Sequence, residues 1–144
     1  MKSTLFSALL LFLSSTACQS PSSSEANQAE TASSSTTAAA GSVVTLTVQE
    51  FAAQSSKGTI LDVRTAGEVA QGKIEGALVI DYYSPNFLDQ VSQLPKDQEV
   101  YLYCAVGARS EEAARLLVQQ GYTKVYHLQG GIQGWSQEGM AVVR

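Results

Sequence analysis

The residues best suited to chemistry lie in one short loop, "CAVGAR", which runs from Cys104 to Arg109. Gly107 permits a positive φ, so that successive N–H groups of the loop can converge on one point. A helix predicted to begin at Ser110 adds its own unpaired N–H groups and the positive end of its dipole. Because these features and the arginine charge all favour a thiolate, the sequence predicts a reactive cysteine with a lowered pKa.

The size of this loop limits what it can bind. Four residues separate the cysteine from the arginine: Ala105, Val106, Gly107 and Ala108. Cysteine-dependent phosphatases need one residue more in this interval to surround a tetrahedral phosphate. The shorter loop suits a single sulfur atom, such as the outer sulfur of a persulfide. A phosphatase or an arsenate reductase is therefore the less favoured interpretation.

The elements around the loop follow an alternating pattern of strands and helices. The apolar runs typical of strands are "VVTLTV", "GTILDV", "GALVI", "EVYLYC" and "KVYHL". The helical segments between them are "VQEFAAQ", "TAGEVAQG", "SPNFLDQVSQLP", which Pro95 closes, and "SEEAARLLVQQG". This alternation predicts an α/β domain with a mostly parallel five-stranded sheet flanked by helices. In such sheets ligands bind beyond the carboxyl ends of the strands, which is where Cys104 lies.

Several polar residues near the predicted strand ends are candidates for supporting roles. Thr65 and Glu68 have the spacing of a capping box, and Ser110 is predicted to cap its helix. Arg64 and Glu68 stand four residues apart, which predicts a structural ion pair. Asp62 ends a strand and either forms a turn or bonds to the cysteine loop.

Composition excludes some classes of function. The 144 residues carry 9 basic and 13 acidic side chains, with neither a basic run nor aromatic residues interleaved with basic ones. Nucleic acid is therefore not an expected partner. His127 is the single histidine and has no second ligand at a recognisable spacing, so we expect packing at a strand end and no metal site. A monomer is expected.

The N-terminal segment has the layout of an export signal. Lys2 precedes an apolar run over residues 5–13, and small residues lead to Cys18. The run is shorter than the roughly 20 residues of a membrane-spanning helix. Although Ser15 replaces the favoured leucine, "STAC" resembles the end of a bacterial lipoprotein signal. We expect residues 1–17 to be a signal peptide and Cys18 to be lipidated, with an ordinary secretory signal as the alternative.

A tether is predicted between this signal and the domain. Residues 18–42 are rich in Ser, Thr and Ala and offer no apolar face, so we expect a coil reaching roughly 25–30 Å. The expected location is the periplasm, on a bacterial membrane. Gln19 after the cysteine resembles a sorting signal for the outer membrane. Since exported chains usually pair their cysteines, a lone Cys104 in the mature protein points to a reactive sulfur.

Three segments in order make the region 43–144 resemble a single rhodanese-homology domain. "ILDVRTAGEVAQGKIEGA" is similar to the family's "DVR…E…GHIPGA" segment. "YLYCAVGARS" is similar to its C-x-x-G-x-R-S loop, and "LQGGIQGW" to its closing L-x-GG-x-x-x-W.

The resemblance implies sulfurtransferase activity through a persulfide on Cys104, with no metal or organic cofactor. It implies that residues 105–108 bind the persulfide and that Arg109 anchors the loop and helps to hold an anionic donor. The implied partners are a small-molecule or protein-borne sulfur donor, such as thiosulfate or a persulfide, and a thiol acceptor. A rhodanese-like module that only binds sulfur or docks on a partner is the alternative.

The sequence departs from the family pattern in two places. Lys73 and Glu75 replace the usual His and Pro, which we expect to affect a turn. Ala105 and Val106 are apolar where many members that use thiosulfate carry a basic or polar residue. With fewer charges to receive a dianion, a neutral or protein-borne persulfide is an equally good candidate for the donor.

Overall fold

A computed structural model describes residues 41–144, which contain a five-stranded sheet in the order β1-β5-β4-β2-β3. All neighbouring strands are parallel, which confirms the predicted α/β fold. The strands are β1 (Ser42–Leu46), β2 (Thr59–Asp62), β3 (Leu78–Val79), β4 (Val100–Tyr103) and β5 (Lys124–Leu128). The helices are α1 (Val48–Gln54), α2 (Ala66–Val69), α3 (Phe87–Val91), α4 (Ala108–Gln119) and α5 (Gly131–Gln137), and a 3₁₀ turn spans Ser55–Lys57.

The central strand β4 is buried along its whole length, because helices cover both faces of the sheet. Val100 and Leu102 pack with residues of α3 and α4 on one face. Tyr101 and Tyr103 pack with residues of α1 and α5 on the other. Burial on both faces explains why this strand is a continuous apolar run and not an alternating one. Cys104 follows directly and is fully buried on the α3 and α4 face.

The helix after the loop begins earlier than predicted. We expected Ser110 to cap it, but α4 starts at Ala108, and Gly107 precedes it with φ 107°. The positive φ turns the chain into the helix sooner, which places Ser110 inside the first turn. Its hydroxyl donates to Gly107 O at 2.9 Å, so it stabilises the loop from within the helix.

Helix α3 is shorter than the predicted segment that Pro95 closes. After Val91 the chain continues in turns, with Leu94 N–H bonded to Val91 O at 2.8 Å. The hydroxyl of buried Tyr122 lies 2.7 Å from Val91 O and 2.9 Å from Leu94 O. The Tyr122 hydroxyl therefore hydrogen-bonds to the carbonyl groups at the end of this helix, which do not need partners from a further helical turn.

The predicted signal peptide, Cys18 and nearly all of the predicted tether lie outside the described residues. Strand β1 begins at Ser42, one residue before the predicted start of the domain. Within residues 41–144, no helix combines the length and apolar character needed to cross a membrane.

Candidate active site

Cys104 lies in a nest of backbone N–H groups, as the loop sequence predicts. The N–H of Gly107 donates to its Sγ at 3.1 Å, a bond that the turn at this glycine makes possible. Burial raises the pKa of the Cys104 thiol. The backbone N–H groups of Ser110, Gly107 and Val106 act against burial, and the net shift of the pKa is downward. The site therefore stabilises an anionic sulfur mainly with backbone dipoles.

Arg109 pairs with Glu68 across the mouth of the loop. Its Nη1 donates to Oε2 at 2.9 Å and its Nη2 to Oε1 at 2.5 Å, which is a two-pronged geometry. The pair lowers the pKa of Glu68 to about 2, with further help from Thr65, while the Glu68 carboxylate raises the pKa of Arg109. Arg109 thus ties the cysteine loop to the segment that follows β2.

The predicted ion pair between Arg64 and Glu68 is wrong. Arg64 turns back onto Asp62, with Nη2 2.6 Å from Oδ2 and Nε 2.9 Å from Oδ1, and both side chains are buried. Glu68 lies in the first turn of α2, where its carboxylate faces Arg109 and accepts from the Thr65 hydroxyl at 2.8 Å. The expected capping box of Thr65 and Glu68 is present.

Asp62 and Arg64 support the site without contacting Cys104. Asp62 accepts from the backbone N–H of Arg64 at 3.0 Å, so the turn-forming interpretation of Asp62 is the one that the structure favours. Arg64 also donates to Gly72 O at 2.8 Å and to Glu68 O at 3.3 Å. These bonds hold the C-terminal part of α2 and the turn that follows it, and thereby help to position the carboxylate that receives Arg109.

Gly131 lies under the loop, and no role was predicted for it from the sequence. The N–H of Ile132 donates to Cys104 O at 2.8 Å, and that of Gln133 donates to Ala105 O at 3.1 Å. Gly131 has φ 57°, and a Cβ there would stand 2.4 Å from Cys104 O. The paired glycines of "LQGGIQGW" were the available signal, because only glycine allows helix α5 to approach the loop this closely.

The outward side chains at positions 105, 106 and 108 of the loop are uncharged, and Glu111 of α4 lines the cavity beside them. Val106 is 55% exposed, and Ala105 and Ala108 are partly or largely exposed. Tyr83 is 67% exposed, and its ring centroid lies 5.5 Å from the guanidinium carbon of Arg109. The surface around the buried sulfur therefore combines apolar and aromatic side chains with the paired charges of Arg109 and Glu68 and with Glu111.

His127 is buried beneath the start of α4. Its Nε2 lies 2.9 Å from the Thr45 hydroxyl, and its Nδ1 has no hydrogen-bond partner within residues 41–144. Burial lowers the pKa of this histidine. No group of three or more His, Cys, Asp or Glu residues in the described part of the chain is arranged to hold a metal ion.

Comparison with known proteins identifies the family to which a protein with this site belongs. The family model for the rhodanese-like domain matches residues 47–138. The chain belongs to the rhodanese-like domain family.

Individual relatives agree with this assignment. A sulfurtransferase of Allochromatium vinosum is 42% identical over 84 residues, which are 58% of this chain and 77% of that protein. The crystal structure of a rhodanese-related protein from Thermoplasma volcanium superposes with a TM-score of 0.63 at 30% identity, over 69% of this chain and 97% of that one. A rhodanese-like domain protein from Staphylococcus aureus gives a TM-score of 0.59 at 27% identity, over 70% and 99% of the two chains.

Proposed function

We propose that this protein is a sulfurtransferase that carries sulfane sulfur as a persulfide on Cys104. The observation that carries the proposal is the nest of N–H groups around Sγ, which lowers the pKa of the thiol despite complete burial. A group of this kind is present as a nucleophilic thiolate at neutral pH more often than an ordinary cysteine is.

The reaction is a double displacement. The Cys104 thiolate attacks the outer sulfur of a donor, the sulfur–sulfur bond of the donor breaks, and the leaving group departs with the electron pair. The leaving group is sulfite from thiosulfate, or a thiolate from a persulfide. A thiolate acceptor then attacks the terminal sulfur on Cys104, which restores the original thiolate.

The loop geometry supports the intermediate as well as the nucleophile. The terminal sulfur of a cysteine persulfide carries negative charge beyond Sγ, towards the loop N–H groups of residues 105–108 and the first turn of α4. Arg109 and Glu68 fix the far end of the loop, and α5 fixes its near end through Cys104 O and Ala105 O. Preorganised dipoles of this kind stabilise charge without the cost of reorienting solvent.

The test is the mass of the intact protein before and after addition of a sulfur donor, and again after cyanide. We expect Cys104 to gain one sulfur atom and cyanide to remove it as thiocyanate. Cys104→Ser should abolish both changes while the circular dichroism spectrum stays that of the folded protein. Gain of sulfur in the Cys104→Ser variant would refute this mechanism.

Binding, phosphatase and arsenate reductase assays on the same protein separate the alternatives. A protein that takes no sulfur from thiosulfate or from an alkyl persulfide, yet binds a partner, would be a docking module. Hydrolysis of an aryl phosphate or reduction of arsenate in place of sulfur gain would identify a phosphatase or an arsenate reductase.

We further propose that the domain is exported and held on a bacterial membrane, with the outer membrane favoured, by a lipid on Cys18. The N-terminal sequence pattern supports this proposal. Membrane fractionation should place the protein with the membranes and its Cys18→Ser variant in the soluble fraction. An unchanged distribution of the variant would exclude the anchor.

A further inference from the structure

The positive charge at the mouth of the site is already paired within the protein. Arg109 is the only cation of the loop "CAVGAR". Glu68 occupies the edge of its guanidinium with two hydrogen bonds at 2.9 and 2.5 Å. Because the pKa of Glu68 is about 2, its carboxylate is ionised at every working pH and cancels the charge of the arginine.

The face of the same guanidinium is also occupied. The ring of Tyr83 lies 5.5 Å from its central carbon, which is within the range of a cation–π contact. With a carboxylate on one edge and an aromatic ring on one face, the charge of Arg109 is already paired within the protein, and only its remaining N–H groups can meet a ligand. The other outward side chains of the loop are those of Ala105, Val106 and Ala108, and none of them carries charge.

When Cys104 is a thiolate, the thiolate and Glu68 contribute minus two and Arg109 contributes plus one, which leaves minus one. Glu111 lines the cavity beside Val106, but it pairs with Arg115, so this second pair adds no net charge. A dianion such as thiosulfate must therefore approach a site of the same sign. A hydropersulfide, which is neutral or singly charged, meets much weaker repulsion. Its carbon substituent also finds apolar surface at Val106, which is 55% exposed, and at Tyr83.

We propose that the paired charges and the apolar loop select an organic persulfide as the sulfur donor over thiosulfate, with Val106 as a specificity-determining residue. This inference rests on the proposed sulfurtransferase function. In the step concerned, the Cys104 thiolate attacks the outer sulfur of R–S–SH, the bond between the two donor sulfurs breaks, and R–S⁻ leaves with the electron pair. The proton of the new Cys104–S–SH passes to R–S⁻, which leaves an anionic terminal sulfur on the protein and R–SH free.

The test measures how fast Cys104 gains sulfur in a single turnover, by quenched-flow mass spectrometry of the whole protein. The two donors are thiosulfate and a small alkyl persulfide of an uncharged thiol. We expect the persulfide to load the unaltered protein at least about tenfold faster than thiosulfate does, since one charge of repulsion at short range is on this scale. Added salt should accelerate loading from thiosulfate, because screening weakens repulsion, and should accelerate loading from the persulfide much less.

A lysine at position 106 should reverse the discrimination. Val106→Lys is expected to raise the rate with thiosulfate about tenfold and to lower the rate with the alkyl persulfide, because the lysine adds a positive charge and removes the apolar contact. Val44→Lys is the matched control, because Val44 is another exposed valine, on the edge strand β1, and this variant should change neither rate.

The outcomes are distinguishable. Equal loading from both donors in the unaltered protein, with no effect of salt, would overturn this inference and leave the sulfurtransferase intact. Loading from neither donor would overturn the proposed function and this inference together. The salt experiment needs no variant, so a folding defect in Val106→Lys does not affect it.

Discussion

Arg64 and Arg109 each pair with a carboxylate next to the cysteine loop, but the two pairs differ in exposure. The side chains of Arg64 and Asp62 are 5% and 0% exposed, whereas those of Arg109 and Glu68 are 18% and 33% exposed. In the buried pair, Arg64 also donates hydrogen bonds to two backbone carbonyl groups. The partly exposed pair stands at the mouth of the site, where it sets the charge that a substrate meets.

The two pairs are also connected. Arg64 bonds to the backbone carbonyl of Glu68, and the Glu68 side chain receives Arg109. The buried pair therefore positions the residue that makes the exposed pair. Their difference in burial predicts that breaking the first will cost mainly stability, and that breaking the second will cost mainly activity.

The largest effect on stability is expected for Asp62→Ala. This change leaves Arg64 buried without its partner, which typically costs about 3–5 kcal/mol. Chemical denaturation of the variant would measure the loss of unfolding free energy. The double variant Asp62→Ala/Arg64→Met should recover part of it, because the uncompensated charge is then gone. A loss below about 1 kcal/mol, as for an exposed pair, would show that Arg64 is satisfied by other groups.

Arg109→Ala should show the opposite balance. Loss of a partly exposed pair is expected to reduce unfolding free energy by only about 1 kcal/mol. Without this pair we expect the cysteine loop to shift. The shift should slow sulfur loading of Cys104 from an alkyl persulfide roughly 10- to 100-fold, which is the scale for a misplaced reacting group. Arg109→Lys is the matched control: it keeps the charge but loses the two-pronged geometry, so it should recover only part of the rate. An unchanged rate in Arg109→Ala would show that Arg109 does not contribute to sulfur loading.

Features that depend on a few neighbouring residues were predictable from the sequence. The parallel sheet and the nest around Cys104 follow from local patterns: a buried apolar strand, a glycine and the start of a helix. Each of these acts over a few residues, so the sequence displays it directly. The capping box of Thr65 and Glu68 was predictable for the same reason.

The partners of the arginines were not predictable in this way. Spacing favoured a pair between Arg64 and Glu68, but α2 begins only at Ala66, so Arg64 lies before the helix and its side chain folds back onto Asp62. Glu68 instead meets Arg109, a residue 41 positions away, because parallel strands bring both loops to one edge of the sheet. The close approach of Gly131 to Cys104 O is a tertiary contact of the same kind.

The pH dependence of stability should identify the contribution of Glu68. Its pKa falls from an ordinary 4.5 to about 2 in the folded protein. A lowered pKa stabilises the fold above the unfolded value, and the stabilisation is lost as pH falls towards the folded value. The unaltered protein should therefore exceed Glu68→Gln in unfolding free energy at pH 5 and above, and the difference should shrink between pH 4.5 and pH 2. Urea denaturation of both proteins over this range measures it, and a constant difference would contradict the assigned pair.

The smallest effect is expected for the most exposed of the three arginine–carboxylate pairs within residues 41–144. Arg115 pairs with Glu111 one turn earlier on α4, and their side chains are 61% and 43% exposed. Water competes for both charges, so such helix pairs contribute about 0.3–0.5 kcal/mol. Arg115→Ala should lower the unfolding free energy by no more than this, and the loss should vanish in high salt. A loss comparable to that of Asp62→Ala would mean that burial does not determine how much the three pairs contribute to unfolding free energy, because Arg115 forms the same chemical contact with far less burial.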